Sequence, residues 1–167
     1  MAFKLNRDDR VTILNTYQNY LKRMSYTIPM EVEASRVFGF NLGIKFVRGA
    51  YMMEEREIAE REGTASPIWD DIEGTHKCYN GNVEYAIKHM TNQDLVFVAS
   101  HNTKTVELAT TLVEDYGFKD SERVRFGQLR GFSDQITSGL SDRGFKVYKY
   151  VPFGPTEQMM PYLVRRG

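Results

Sequence analysis

The 167-residue sequence contains a single cysteine, Cys78, which excludes an internal disulfide and fits a reducing compartment. No apolar run approaches the ~20 residues that a membrane-spanning helix needs. Charge is balanced, with 22 Lys and Arg against 22 Asp and Glu, and no basic stripe stands out. The composition therefore gives no reason to expect nucleic acid as a partner.

Several common catalytic and metal-binding motifs are absent as well. The three histidines, His76, His89 and His101, are scattered, and no Cys or His cluster has the spacing of a metal site. There is no P-loop, no glycine-rich dinucleotide fingerprint and no nucleophile elbow. Adjacent acids at positions 54–55 and 70–71 are typical of solvated helix surfaces. Hydrolysis thus has no signature, and an organic cofactor oriented by the protein is favoured.

What the sequence does contain is an alternation of short apolar runs with helical segments. It is 41% hydrophobic and 13% aromatic, which fits one globular domain over residues 1–167. The runs are nearly continuous, as in strands buried on both faces, and they cover residues 11–14, 42–47, 94–99, 124–129 and 146–151. Helices are predicted over residues 54–62, 70–90 with a break near Gly81, 105–116 and 155–166. This order predicts an α/β protein with parallel strands.

Two α/β architectures stay open at this point. An eight-stranded β/α barrel takes about 250 residues, so by length a chain of 167 residues fits an open doubly wound sheet better. The nucleotide fingerprint that is usual in such a sheet is missing. The motifs described below favour a barrel, of which this chain holds about the last five β/α units.

Polar residues lie at the end of every predicted strand. In parallel α/β folds, function gathers beyond the carboxyl ends of the strands. One polar strand end is usually explained by loop solvation, whereas five that face one edge indicate a shared site. The residues are Asn15 and Gln18, Lys45 with residues 48–51, residues 100–102, residues 128–131, and Tyr150.

The segment from residue 148 to residue 166 is the most informative in the chain. It is typical of a strand that ends in the polar aromatic Tyr150, then a tight turn, then a helix that opens with Pro155. That helix carries two adjacent guanidinium groups, Arg165 and Arg166. Paired guanidiniums suit a small carboxylate or phosphate better than paired lysines do.

Six segments in this order make the sequence resemble the proline dehydrogenase family over residues 13–166. They are residues 15–18 (NTYQ), 45–51 (KFVRGAY), 99–102 (ASHN), 128–131 (QLRG), 148–155 (YKYVPFGP) and 162–166 (YLVRR). The second and fifth segments resemble the mitochondrial, eukaryotic branch. The resemblance implies a (β/α)8 barrel of TIM type that holds FAD at the carboxyl ends of its strands. It also implies three earlier β/α units and a later glutamate, so we expect an N-terminally incomplete barrel with two unpaired sheet edges.

The resemblance also implies which positions hold FAD. Asn15 would lie at the polar edge of the flavin ring. Lys45 stands where many family members carry Arg, and either cation would stabilise the reduced flavin. The remaining cofactor contacts implied by the resemblance are Val47, Arg48, Gly49, Ala50, Tyr51, Ser100, His101, Asn102, Gln128 and Arg166.

The substrate that the resemblance implies is L-proline, oxidised to pyrroline-5-carboxylate. Electrons would pass to a quinone, with peripheral association at the matrix side of the mitochondrial inner membrane. Relatives that oxidise hydroxyproline tend to carry a smaller residue at the position of Tyr150, so proline is favoured. The substrate-binding residues implied are Tyr51, Leu129, Tyr150, Tyr162, Arg165 and Arg166, and the catalytic ones are Lys45, Tyr150, Arg165 and Arg166.

Other interpretations of the same residues stay open. Tyr51 and Tyr150 also fit amphipathic positions at the edge of a core, and the arginine pair fits a basic helix end. The chain is then a non-catalytic fragment that binds FAD or proline. A hydroxyproline dehydrogenase is a further alternative. The last is an unrelated α/β enzyme that binds a phosphorylated molecule through Lys45 and the arginine pair.

Overall fold

The computed structural model describes residues 2–7, 11–119 and 122–164, in which parallel strands alternate with helices. None of the described helices is long and apolar enough to cross a membrane. The strands are β1 Asn15–Gln18, β2 Gly43–Val47, β3 Leu95–Ala99, β4 Val124–Leu129 and β5 Lys146–Tyr150. The helices are α1 Ala2–Leu5, α2 Met24–Phe38, α3 Met52–Glu62, α4 Ile72–His89, α5 Thr103–Asp115, α6 Asp134–Asp142 and α7 Thr156–Val164.

The five strands form one sheet in the order β1-β2-β3-β4-β5, and every neighbouring pair is parallel. The order never reverses, whereas an open doubly wound sheet has a point at which it does. Alternate strand residues, such as Phe46, Val98 and Phe126, are fully buried in the core that the helices cover. The sheet is therefore an arc of a TIM-type β/α barrel, as the motifs predict. The open sheet that the chain length favours is wrong.

Four of the five predicted strands are confirmed to within one residue, and the first is wrong. Residues 11–14 form no strand, and β1 begins at Asn15 instead. The reason is the side chain of Asn6, whose Oδ1 accepts hydrogen bonds from the N–H groups of Thr12 and Ile13, both at 2.9 Å. Its Nδ2 donates to the carbonyl of Ile13 at 2.7 Å. The side chain of Asn6 thus hydrogen-bonds the backbone N–H and C=O groups that would otherwise pair with a neighbouring strand.

The predicted helices are present, with one correction at Gly81. Helix α4 runs unbroken through Gly81, which faces open space on the helix surface. Asp71 begins this helix, because its carboxylate accepts a hydrogen bond from the Gly74 N–H at 2.6 Å. Positions 165 and 166, the predicted end of the last helix, lie outside the described residues. Helices α1, α2 and α6 have no counterpart among the predicted helices.

A buried carboxylate joins three elements at the amino-terminal edge of the sheet. Asp94 is fully buried just before β3. Its Oδ1 accepts from the N–H of Leu42 at 2.7 Å, and its Oδ2 accepts from the N–H of Thr91 at 2.7 Å. The guanidinium of Arg36, on α2, lies 2.8 Å from the same Oδ2. The start of β2, the turn before β3 and the end of α2 are therefore held by one side chain.

Candidate active site

Because the strands are parallel, their carboxyl ends meet at one edge of the sheet, which we call the rim. Asn15 begins β1 and so lies three residues before the rim, where its side chain is hydrogen-bonded to the phenol of Tyr17. Burial raises the pKa of Tyr17 to about 12. A cleft of about 420 Å³ borders the free side of β1. The strand ends that form the rim are Gln18, Val47, Ala99, Leu129 and Tyr150.

Residues that alternate with the buried core positions face the other side of the sheet, which is the interior of a barrel. Lys45 and Phe97 are register partners on this face, and Gly127 is the partner of Tyr148. The Phe97 ring fills the space beside Gly127, where an added Cβ would lie 2.4 Å from ring atom Cε1. The ring centroids of Phe97 and Tyr148 are 5.8 Å apart. Phe97, which the motifs did not single out, is thus the centre of the interior face.

The Lys45 ammonium is a cation without a counter-charge. It lies 5.8 Å from the centroid of the Phe97 ring, which is within the range of a cation–π contact. Across residues 2–7, 11–119 and 122–164 it forms no ion pair. A half-buried cation on the interior face suits an anionic or electron-rich ligand.

Two predicted substrate residues meet at the rim. The ring centroids of Tyr150, on β5, and Tyr162, on α7, are 6.0 Å apart, with the ring planes inclined by 50°. Leu129 is the register partner of Tyr150 on the neighbouring strand. Tyr150 is 53% exposed, so a ligand can reach it. Arg165 and Arg166 lie outside the described residues, and their role stays a prediction.

Arg48 lies beside the rim, between α4 and α5. Its guanidinium donates to Thr105 Oγ1 at 2.8 Å and to His76 Nδ1 at 2.6 Å, and it lies 4.0 Å from the centroid of the Tyr79 ring. Desolvation lowers the pKa of Arg48. It has no carboxylate partner in the part of the chain that the structure describes. A guanidinium without an acid, next to the first turn of α5, is placed to meet an anion such as a phosphate.

The loop after β2 brings Gly49, Ala50 and Tyr51 to the same side of the sheet as Arg48. Gly49 has a φ of +84°, which glycine adopts without a steric penalty. Tyr51 precedes α3 and is 45% exposed. The phenol of the buried Tyr20 is hydrogen-bonded to the Tyr51 backbone, and burial raises the pKa of Tyr20 to about 12. The hydrogen bond from Tyr20 therefore holds the backbone of the loop, while the Tyr51 ring stays accessible to solvent.

Ser100 and Asn102 shape the start of α5. Asn102 is the N-cap, because its side-chain oxygen accepts from the N–H of Thr105 at 3.0 Å. The hydroxyl oxygen of Ser100 accepts from the N–H of Asn102 at 3.1 Å. These two hydrogen bonds explain why a serine and an asparagine stand at these positions, without any contribution from a ligand. They also direct the start of a helix, with its positive dipole end, toward the rim.

His101 contacts the loop between β4 and α6. Its Nε2 accepts from the N–H of Leu129 at 3.4 Å, so the neutral ring carries its proton on Nδ1 and donates it to Ser133 Oγ at 3.1 Å. The ring lies edge-on to Phe132, with the centroids 5.6 Å apart. Partial desolvation, and then the Lys149 ammonium, lower the pKa of His101. Both ring nitrogens are thus used within the protein, and the predicted contact with FAD stays a prediction.

Gln128 lies in the helix layer behind the rim. It is 2% exposed, its Nε2 donates to the carbonyl of Ser100 at 3.4 Å, and its Oε1 accepts from Thr137 Oγ1 at 3.0 Å. The strand period could have indicated this orientation, because Gln128 and Phe126 are two residues apart and share a face. Its predicted contact with FAD stays a prediction.

The rim and the interior face fit a flat cofactor that carries phosphates. Val47 and Ala99 present small side chains beside Lys45, and nothing lies within 4 Å of an added Cβ at Gly49. The buried Oε1 of Gln18, at the same rim, has no hydrogen-bond partner among the described residues and is free to accept one. These features allow a ring to lie against the sheet with its phosphates toward Arg48.

The fold and the site together define a TIM-type β/α barrel protein whose strand ends gather polar, aromatic and cationic side chains at one rim. The family model for proline dehydrogenase matches residues 2–167, and the chain belongs to that family. It is 42% identical to mitochondrial proline dehydrogenase 1 of Caenorhabditis elegans over 173 residues, which cover 100% of this chain and 28% of that protein. It is also 37% identical to hydroxyproline dehydrogenase of Bos taurus over 158 residues, which cover 93% of this chain and 34% of that protein.

A solved structure supports the fold assignment. Proline utilization A from Bdellovibrio bacteriovorus, inactivated by N-propargylglycine, superposes with a TM-score of 0.83 at 25% identity. The match covers 92% of this chain and 16% of that one. The chain thus spans only part of the proteins it resembles, 28% and 34% of the two relatives above.

Proposed function

We propose that this chain forms the flavin-binding and substrate-binding part of an enzyme that oxidises L-proline to pyrroline-5-carboxylate. The observation that supports this most directly is the unpaired Lys45 ammonium on the interior face that also carries Tyr148 and Tyr150. Tyr148 contacts Phe97, against which Lys45 rests. Two residues further along the same face, Tyr150 packs with Tyr162 at the rim.

FAD fits this arrangement of residues. Lys45 and Val47 would hold the ring, and Arg48 with the start of α5 would hold the phosphates. Asn15 is the register partner of the core residue Ile44 and so shares the helix-facing side of the sheet, and its contact with the flavin stays a prediction. When bound, FAD would accept the hydride that leaves the carbon beside the ring nitrogen of proline. The Lys45 side chain is half-buried and its ammonium lies against the Phe97 ring, so it would offer a positive charge close to the flavin.

The substrate residues orient proline and exclude water. Arg165 and Arg166 would pair with the proline carboxylate, as their rigid forks allow. Tyr150 and Tyr162, whose rings already contact each other, would pack with Leu129 against the apolar ring of proline. Fixing the carboxylate and the ring together would leave one carbon directed at the flavin.

We propose a quinone as the electron acceptor and a mitochondrial location, with peripheral association at the matrix side of the inner membrane. The relative from Caenorhabditis elegans is named a mitochondrial protein, which supports the location. The quinone and the membrane association rest on the family resemblance.

The comparisons with known proteins do not support the alternative functions equally. An unrelated α/β enzyme is excluded, because the chain belongs to the proline dehydrogenase family. Hydroxyproline oxidation is the second candidate, supported by the similarity to hydroxyproline dehydrogenase of Bos taurus. A role in binding FAD or proline without turnover is the third. The bulk of Tyr150, which would crowd a ring hydroxyl, favours proline over hydroxyproline.

The visible absorbance spectrum of the purified protein, recorded without oxygen before and after addition of proline, tests the proposal. Flavin bands that bleach with proline support it. Bands that persist indicate a flavin-binding protein that does not oxidise proline. A colourless protein that takes up no added FAD contradicts the proposal.

We expect Arg165→Ala or Arg166→Ala to raise the proline KM by roughly 10–100-fold with little change in kcat, since a charge-assisted hydrogen bond contributes about 1.5–3 kcal/mol. Steady-state kinetics with an artificial electron acceptor measure this. Arg143→Ala is the matched control, because its guanidinium pairs with Glu114 on the outer helices. Unchanged KM in both rim variants would remove the carboxylate assignment.

We expect Tyr150→Ser to raise kcat/KM for 4-hydroxyproline relative to proline by about tenfold, since relieving a steric clash in a pocket changes discrimination by about 1–3 kcal/mol. Competition between the two substrates measures the ratio. Tyr116→Ser, at an equally exposed tyrosine after α5, is the control. An unchanged ratio would show that Tyr150 does not set the specificity.

A further inference from the structure

The loop between β4 and α6, residues 130–133, joins the two walls of the proposed proline pocket. It begins after Leu129, and the N–H of Arg130 donates to the carbonyl of Tyr150 at 3.0 Å. The chain then turns back, because the N–H of Phe132 donates to the carbonyl of Leu129 at 3.1 Å, with Gly131 at a φ of +83°. The loop thus extends the pairing of β4 with β5 by one residue and then turns back over the end of β4.

Lys149 holds this loop from the side of β5. A lysine ammonium has three N–H donors, and Lys149 Nζ has three acceptors, at both ends of one loop. It lies 2.7 Å from the carbonyl of Phe132, 2.6 Å from Asp134 Oδ1 and 3.4 Å from the carbonyl of Leu129. Its side chain is 23% exposed, so these bonds are only partly screened by water.

His101 holds the same loop from the side of β3, through the bonds to Leu129 and Ser133 described above. Ser133 precedes α6 with a φ of +51°, an uncommon conformation for a residue with a side chain. Its hydroxyl does not cap that helix, although serine is a favoured N-cap residue. The hydroxyl of Ser133 thus bonds His101 instead of capping the helix.

We propose that Lys149 is a positioning residue for the substrate pocket, a role that rests on the proposed function. It holds the loop of residues 130–133 against β5 and thereby keeps the paired ends of β4 and β5 from fraying, which preserves the spacing of the Leu129 and Tyr150 side chains. His101 fixes the opposite side of the same loop. A pocket for a small, apolar ring depends on such spacing, because a small misplacement of a wall lowers the fraction of correctly oriented substrate.

Lys149→Met tests this, because it keeps the aliphatic stem and removes the ammonium. We expect the proline KM to rise by about tenfold, because a displaced pocket wall lowers the fraction of correctly oriented substrate, while flavin content stays unchanged and kcat changes by less. Asp134→Asn, which weakens only one of the three bonds, should raise KM by a smaller factor. Lys146→Met is the matched control on the same strand, since Lys146 pairs with the exposed Glu122 away from the rim. Unchanged KM in both Lys149→Met and Asp134→Asn overturns the proposal.

Hydrogen exchange separates this inference from the proposed function. In the protein without added ligand, we expect the amides of residues 129–134 to exchange faster in Lys149→Met than in the unmodified chain or Lys146→Met. A protein that neither binds FAD nor oxidises proline defeats the proposed function, and the exchange result still decides whether Lys149 holds the loop. Equal exchange in all three proteins overturns the inference. Faster exchange with unchanged proline KM shows a structural contact without a role in positioning, which also overturns it.

Discussion

Asp94→Ala is expected to lower the free energy of unfolding by about 2–5 kcal/mol, since two backbone N–H donors lose their acceptor at about 1–3 kcal/mol each. Asp94 is fully buried and satisfies the N–H groups of Leu42 and Thr91 as well as the guanidinium of Arg36. Alanine supplies none of these acceptors, so both backbone donors lose their partner, while Arg36 keeps its hydrogen bonds to the carbonyl of His89 and to Ser35. Urea or thermal unfolding followed by circular dichroism measures the change.

Asp70→Ala is the matched control for that experiment. Asp70 also pairs with a basic side chain, Lys22, at 2.9 Å, but its own side chain is 91% exposed. We expect this variant to lose at most about 1 kcal/mol, because exposed ion pairs are screened by water. Equal losses in the two variants would show that Asp94 does not join the amino-terminal edge of the sheet in the way described here.

Local composition was enough to predict the strands whose backbone N–H and C=O groups are free to pair with a neighbouring strand. β2, β3 and β4 consist largely of apolar residues, and they form where that composition predicts. The first predicted strand failed because of a side-chain contact that the pattern of apolar residues does not reveal. Asn6 lies six and seven residues from Thr12 and Ile13, and it takes their N–H groups. Such a competitor can be identified only once the chain is folded.

The candidate site shows a similar division. The strand-end motifs predicted most of the residues that gather at the rim, because parallel strands place their carboxyl ends together, but Asn15 begins its strand rather than ending one. Orientation across the sheet was predicted less well. Gln128 turned out to face α6, although the two-residue period of a strand could have indicated it. Phe97 and Lys149 escaped notice because their importance lies in partners on other strands and loops, at Gly127 and at residues 129–134.

Lys45→Met is expected to slow the bleaching of the flavin band by proline by roughly 10²–10³-fold, the usual loss when one preorganised electrostatic contact is removed. Lys45 lies on the interior face, 5.8 Å from the Phe97 ring centroid, and forms no ion pair with any described residue. Methionine preserves the shape of the side chain and removes its charge, so flavin content should stay close to that of the unmodified protein. Anaerobic stopped-flow spectroscopy measures the rate.

The midpoint potential of the bound flavin gives a second readout, independent of turnover. A cation close to the ring favours the more negative, reduced form, so Lys45→Met should lower the potential. Lys45→Arg is the control, because it keeps the charge and is the residue that many family members carry at this position. It should keep both the potential and most of the rate. If Lys45→Met left rate and potential unchanged while binding flavin normally, the ammonium would not face the ring. The interior face around Phe97 would then have to serve another ligand.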